Sequence, residues 1–434
     1  MSADFLAESA ARWPRRPALS DAARRWTYAE LDAWVSDIAE RIRREDGPGE
    51  GDVLAVTMDP EPEGIAFLFA AWRVGLTVAP LGTRLTEAEH QHALRGLGGV
   101  RPEGHAVLWT SGTSGRPRGV VLSAEGLRAS AQAARTRLDL GPRDRWLASL
   151  SVAHIGGLAM VTRSVLLGSE LVAVGPFDVE VATTLVDGGD VTHASLVPTQ
   201  LLHMLDARGD RRVPRSLRCV LIGGAHAPSD LVARALDRGW PLALTYGMTE
   251  MTSQVATAPP KLVRRKPDTV GPVLDGVEIR FTGEGEILLK GPTQAIGFVG
   301  VSSPVADREG WYHTGDLGAI DEEGHLRVTG RISTRLVTGG VTVDPLEVEG
   351  ILRAHPAVAD ACVVGVADPE WGEKVAAAVV PVEGELDVEE VDAWLRERLS
   401  GPKRPRRWLL VDALPLNRNG KVDRGAVRAL LQGH

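Results

Sequence analysis

The stretch Val107-Leu-Trp-Thr-Ser-Gly-Thr-Ser-Gly-Arg-Pro-Arg-Gly-Val-Val121 decides how the chain is to be read. An apolar run enters it, a loop of threonine, serine and glycine fills it from Thr110 to Gly115, and a second apolar run leaves it. Gly112 and Gly115 let the backbone approach an anion. Backbone N–H groups and the hydroxyls of Thr110, Ser111, Thr113 and Ser114 are donors suited to phosphate oxygens. The Gly-Lys-Ser/Thr ending of a Walker loop is missing, because Gly115 leads into Arg116-Pro117-Arg118. From these residues alone, a solvated turn between two strands is the alternative.

Outward from this loop, short apolar runs alternate with helical patterns. Arg25–Tyr28 reads as strand, and Thr27-Tyr-Ala-Glu30 as a capping box opening a helix with Leu31, Trp34, Ile38 and Ile42 on one face. Residues 52–57 and 75–80 read as strands around a helix through Phe67 to Trp72, and a helix is expected over 124–138. Further strands are expected at 146–150, 170–174, 191–197, 217–222 and 241–245, with a helix after Gly156-Gly157. This is an α/β pattern of partly parallel sheets layered with helices, in which ligands collect at the carboxyl ends of strands. From about 271 to 330 short strands and frequent glycines predict a β-rich subdomain, and the remainder reads as a compact α+β unit. The expected division is 1–330, a hinge at 331–333, and a small mobile domain over 334–434.

The chain's 434 residues exceed one typical core, so two or three units are expected. A hydrophobic content of 44% with 24% charged residues is that of a soluble globular protein. A formal net charge of −8 argues against nucleic acid, whose phosphates demand a basic face. Cys219 and Cys362 lie far apart in apolar runs without metal-ligand spacing, and read as buried small hydrophobes. The N-terminus lacks the basic-then-apolar order of a signal peptide, and no apolar run reaches about 18 residues, so the cytoplasm is the expected compartment.

Three later stretches add weight to the loop: Thr245-Tyr-Gly-Met-Thr-Glu-Met-Thr-Ser-Gln254, Trp311-Tyr-His-Thr-Gly-Asp-Leu-Gly318 and Pro415-Leu-Asn-Arg-Asn-Gly-Lys-Val-Asp423. In this order they closely resemble the adenylate-forming superfamily of acyl-CoA synthetases, luciferases and peptide-synthetase adenylation domains, over nearly the whole chain. The resemblance implies ATP, Mg²⁺ and CoA, a carboxylic acid substrate, and a homodimer. It implies that Thr110 to Gly119 holds ATP phosphates, with Arg118 where lysine is usual. Glu250 would be the Mg²⁺ ligand, and Thr249 would contact the α-phosphate. Asp316 would accept from the ribose hydroxyls, with Arg331 beside the nucleotide. Gly223, Gly224, Ala225, Tyr246 and Gly247 would wall the adenine and acyl pockets. Lys421 would reach the carboxylate and α-phosphate from the small domain. Ser333 stands at the hinge position, and Gly339 and Gly340 would line the pantetheine tunnel. Thr334, Arg335 and the run Val341–Pro345 depart from the usual pattern there.

His154-Ile-Gly-Gly-Leu158, the helix through Arg163, Ser195–Thr199 and Ser253-Gln254 look most like the 2-succinylbenzoate–CoA ligases of menaquinone biosynthesis. Such a substrate is a dicarboxylate, so one carboxylate reacts while the other needs an anchor. His154 and Arg163 are the candidates; a buried, satisfied histidine and a solvated or structural arginine are the alternatives. Two further readings stand beside this one: an adenylating enzyme for another acid or for a carrier protein, and a non-catalytic nucleotide-binding relative.

Overall fold

The computed structural model describes residues 4–44, 49–83, 85–98, 104–110, 118–301, 304–382, 386–417 and 422–433. The short apolar runs form an eight-stranded sheet. Its spatial order is Ser253–Ala258, Leu242–Met248, Cys219–Ile222, His193–Leu196, Arg145–Ala148, Glu170–Ala173, Pro17–Ser20 and Arg25–Thr27. Neighbours are parallel except at the two edges, where Ser253–Ala258 and Arg25–Thr27 run antiparallel.

Alternation along these strands divides their side chains between two cores. Leu147, Ala194, Val220 and Leu242 face helices Val179–Gly188, Pro198–Arg208 and Ser229–Asp237. Trp146, Ala148, Leu221 and Ala243 face the opposite way, toward helices Ala124–Leu138 and Ile155–Leu167. The same core takes in Val78, Ala106, Leu108, Val120 and Leu122 of a second, five-stranded sheet. Helix Ile155–Leu167 therefore lies between two sheets, which is why it is apolar on nearly every side and almost wholly buried.

The five-stranded sheet runs Gly297–Phe298, Arg118–Leu122, Ala106–Thr110, Thr77–Leu81 and Val53–Thr57. Its first strand comes from the 271–330 segment, which is thus not self-contained: Gly297 and Phe298 pair with Val121 and Val120 and close that sheet's edge. The rest of the segment forms an antiparallel sheet of Glu278–Phe281, Glu286–Lys290, Tyr312–Ile320 and Leu326–Arg331. After the 3-10 turn Ile332–Thr334 comes a sheet of Val341–Val343, Leu336–Thr338, Gly372–Pro381 and Val358–Asp368, with Arg407–Leu410 parallel to Gly372–Pro381. Gly156 and Gly157 fall inside the helix expected to follow them, and the close approach of its first turn to the Ser151 carbonyl, 2.2 Å from where a side chain at 157 would begin, requires glycine there. Cys219 and Cys362 are both buried, and burial pushes both thiols up to about 12.

Two buried histidines make the fold sensitive to acid. His105 stacks on Trp72 at 4.3 Å, and burial lowers its pKa to about 4; burial lowers His193 to about 3. Both are neutral in the folded state and titrate near 6.5 when unfolded. Their contribution is complete above pH 6.5 and falls as the pH drops through 6.5 toward 4, by about 1.4 kcal/mol per pH unit for each. His313, held above its usual value by Glu286, works in the other direction but is half exposed. The urea midpoint is expected to fall between pH 7 and pH 5, and a flat midpoint over that window would contradict the assignment.

Candidate active site

Strand Leu242–Met248 turns back on Ser253–Ala258 through the 3-10 turn Thr249–Met251, with Thr252 and Ser253 at φ of 48° and 96°. A side chain at Gly247 would lie 1.9 Å from the Ser253 carbonyl, so the tight return requires glycine there. The turn carries Thr249 and Glu250. Its backbone is tied down by Ala295, whose N–H donates to the Glu250 carbonyl at 2.8 Å. Burial raises the Glu250 carboxyl above its ordinary value, against the lowering influence of its own backbone N–H, of Arg331 and of the nearby Tyr312 hydroxyl. The Tyr312 hydroxyl is raised in turn, by burial first and by the Glu250 charge second.

Tyr312 opens the strand that also carries Asp316. Asp316 and Arg331 are direct cross-strand partners, and the Arg331 Nε donates to the Asp316 carboxylate. The second Asp316 oxygen accepts from the Tyr246 hydroxyl at 2.7 Å. Burial and this neighbouring carboxylate push the Tyr246 hydroxyl well above its usual range. Tyr246, Thr249, Glu250, Asp316 and Arg331, from three separate stretches of sequence, thus converge at the carboxyl end of the large sheet.

Other candidates lie at neighbouring strand ends. Gly223 and Gly224 follow Cys219–Ile222, with Gly224 at φ 81° and Ala225 exposed beyond it; a side chain at Gly223 would press on Thr245 at 2.8 Å. His154 is exposed rather than buried, and its backbone starts helix Ile155–Leu167. Thr110 and Arg118 are paired across the antiparallel strands that lead into and out of the loop. Ser111, Gly112, Thr113, Ser114, Gly115 and Lys421 lie outside the described residues. Ser333 sits in the Ile332–Thr334 turn. Gly339 and Gly340, at φ 54° and 79°, form the two-residue turn of hairpin Leu336–Val343, a conformation that needs positive φ at both positions.

Arg163 lies in the second half of the helix that His154 caps. Its guanidinium lies 5.7 Å from the ring of Trp146, which is paired with His193; His193 in turn pairs with Cys219 at the amino ends of their strands. Arg163 is 2% exposed, makes no ion pair among the described residues, and its Nε has no hydrogen-bond partner there. Burial lowers its pKa to about 10, which still leaves it charged at neutral pH. Facing this helix, the sheet positions are mostly short side chains, Ala148, Ser195 and Ala243 around Leu221.

Residues 6–98 and 103–299 match the AMP-binding enzyme family, and residues 347–421 match the AMP-binding enzyme C-terminal domain. The chain belongs to the AMP-binding enzyme family. A 2-succinylbenzoate–CoA ligase of Geobacillus sp. (strain WCH70) is 32% identical, with 99% of this chain and 97% of that one covered. Two structures of o-succinylbenzoate CoA synthetase from Bacillus subtilis are 29% identical to it. The complex with the acyl-adenylate intermediate OSB-AMP has a TM-score of 0.89 over 98% of each chain; the complex with ATP and magnesium ion has 0.88 over 99% of each.

Within this AMP-binding enzyme the motif reading overlooked Tyr312, whose hydroxyl lies close enough to Glu250 to influence its carboxyl, and Glu286, which braces the Asp316 strand. Tyr312 sits inside a motif already quoted, so its position was available although its partner was not. Glu286 carried no signal beyond a Gly-Glu step at a strand start. No group of three or more metal-type ligands occurs among the described residues. A metal held here by the protein would therefore rest on Glu250, a hard oxygen donor whose carboxyl is disfavoured as a charge until a cation comes near.

Proposed function

We propose that this AMP-binding enzyme is an ATP-dependent acid–CoA ligase that activates 2-succinylbenzoate as its acyl-adenylate and passes the acyl group to CoA, a step of menaquinone biosynthesis. A carboxylate is a poor electrophile, since its charge repels nucleophiles and oxide is a poor leaving group. Attack of that carboxylate on the α-phosphorus of ATP expels pyrophosphate and creates a mixed anhydride, from which the CoA thiol takes the acyl group as AMP leaves. No general base is needed for the first step, because the acid is already ionised at pH 7.

In this reading Asp316, with Arg331 and Tyr246 fixing its two oxygens, accepts from the ribose hydroxyls. Thr249 contacts the α-phosphate, and Gly223 to Ala225 with Gly247 border the adenine and the acyl group. Thr110 to Gly119 holds the β- and γ-phosphates, and Lys421 approaches from the C-terminal domain. Glu250 would hold Mg²⁺, which when bound supplies charge stabilisation at the phosphoryl oxygens. Residues 1–330 form the substrate-binding part, 331–333 the hinge with Ser333, and 334–434 the mobile part whose Gly339-Gly340 turn meets the pantetheine chain. We place the enzyme in the cytoplasm, and a homodimer is the assembly the family resemblance supports; no helix among the described residues is long and apolar enough to cross a membrane.

The observation that carries the dicarboxylate reading is the buried guanidinium of Arg163, which has no ion-pair partner among the described residues. A charge in such a place is expensive without a counter-charge, and a substrate with a second carboxylate provides one. Nine residues separate His154 from Arg163, about 14 Å along a helix, and an arginine side chain leaning back toward the helix start shortens that span to the scale of a small aryl acid. AMP release with 2-succinylbenzoate, benzoate, salicylate and medium-chain fatty acids, with and without CoA, tests the reading. Turnover is expected with 2-succinylbenzoate and CoA. Preference for another acid would replace the substrate, and no AMP from any acid would make the protein a nucleotide-binding relative.

A further inference from the structure

The two strands Glu286–Lys290 and Tyr312–Ile320 do not pair evenly. Glu286 faces Leu317 and Leu288 faces His313, so Ile287 alone stands opposite Thr314, Gly315 and Asp316. Two surplus residues must leave the ladder, and the bulge they make is what turns Asp316 toward Arg331 and Tyr246. A bulge of this size holds its shape only if its freed backbone groups find partners. Thr314 Oγ1 donates to the Ile287 carbonyl at 2.8 Å and accepts from the Asp316 N–H at 2.9 Å. The remaining N–H, that of Gly315 at φ 69°, donates to Glu286 Oε1 at 3.0 Å. The other oxygen of Glu286 meets His313 Nδ1 at 3.2 Å, whose Nε2 lies 3.4 Å from Asp307. The Glu286 side chain is only 14% exposed, so water does not readily replace it.

We infer that Glu286 is a positioning residue for the nucleotide: its carboxylate fixes the Gly315 N–H, and through that bulge it holds the Asp316 carboxylate where the ribose hydroxyls arrive. This rests on the reading of Asp316 as the ribose acceptor. Glu286 itself touches neither substrate nor reacting atoms. Its effect is therefore confined to what Asp316 recognises, the two hydroxyls, and leaves the triphosphate and the acid unaffected.

The test is adenylation kinetics with ATP and with 2′,3′-dideoxy-ATP, the second lacking what Asp316 binds. Glu286→Ala is expected to raise the KM for ATP about tenfold, the scale of one charge-assisted hydrogen bond, with kcat within about twofold. The KM for 2′,3′-dideoxy-ATP stays nearly unchanged, so the preference for ATP shrinks by the same factor. Glu286→Gln, whose amide oxygen still accepts from Gly315, retains most of the preference. Glu286→Asp, one methylene too short to reach Gly315, loses it while keeping a charge beside His313, and serves if the alanine variant does not fold. Equal losses with both nucleotides, or an unchanged preference in both the alanine and aspartate variants, would overturn the inference. Asp316→Ala separates the two levels: if it keeps the preference for ATP, the ribose assignment is at fault, whereas its loss alongside an unaltered Glu286→Asp enzyme refutes only the role of Glu286.

Discussion

Arg163→Met is expected to lower kcat/KM for 2-succinylbenzoate by about a hundredfold to a thousandfold, the scale of removing one partner from a buried ion pair. The same variant should gain ground on 4-oxo-4-phenylbutanoate, which lacks the second carboxylate. Arg163 is enclosed between two sheets with Trp146 beside it and no carboxylate of its own among the described residues. In the free enzyme that charge is a burden, so methionine, similar in length and apolar, should leave the thermal midpoint unchanged or higher. A structural arginine predicts the reverse, a lowered midpoint and equal losses on both acids. Comparing kcat/KM for the two acids with one thermal melt therefore separates the roles. Equal losses on both acids would remove Arg163 from the acyl site.

The layered fold was legible because each inner strand is a short apolar run ending at a turn, and the helices over 124–138 and 28–44 carry their own start signals. Ser123 caps the first with its side chain on the Gly126 N–H at 3.0 Å, and Thr27 and Glu30 exchange hydrogen bonds at the start of the second. These are local interactions, complete within a few residues. What stayed hidden depends on pairings distant in sequence. Glu250 and Tyr312 meet only after the hairpin and the β-rich sheet have both formed, and Glu286 reaches Gly315 only across a bulge that no periodicity announces. The joining of Gly297-Phe298 to the other sheet is of the same kind: two residues are too few to show a pattern, and an unpaired edge decided their place. Arg163 falls between these cases. A lone arginine on a helix usually reaches solvent, yet this helix is apolar all round, and that feature already marks burial. Gly247 was legible as part of a motif while its cause, the Ser253 carbonyl, was not.

Lys421→Ala is expected to lower pyrophosphate exchange by about a hundredfold or more while ATP affinity is retained, as for the loss of a donor that acts on charge developing in the transition state. On the proposed reading, the metal and the glycine-rich loop would already meet the triphosphate charge in the ground state. During attack, negative charge is redistributed over the α-phosphoryl oxygens and the departing pyrophosphate, and there a lysine adds most. The described residues that flank Lys421, Pro415–Leu416 and Val422–Arg424, make contacts of their own. Leu416 bridges to Val422, the Asp423 N–H donates to the Pro415 carbonyl at 2.8 Å, and Arg424 grips the buried Glu349 carboxylate at 2.6 and 2.9 Å. If the C-terminal part rotates between the two half-reactions, the lysine is withdrawn when CoA attacks, and thioester formation from supplied acyl-adenylate should fall far less than adenylation. Equal loss in both half-reactions would mean that Lys421 serves the fold or both steps, and unchanged pyrophosphate exchange would remove it from the chemistry.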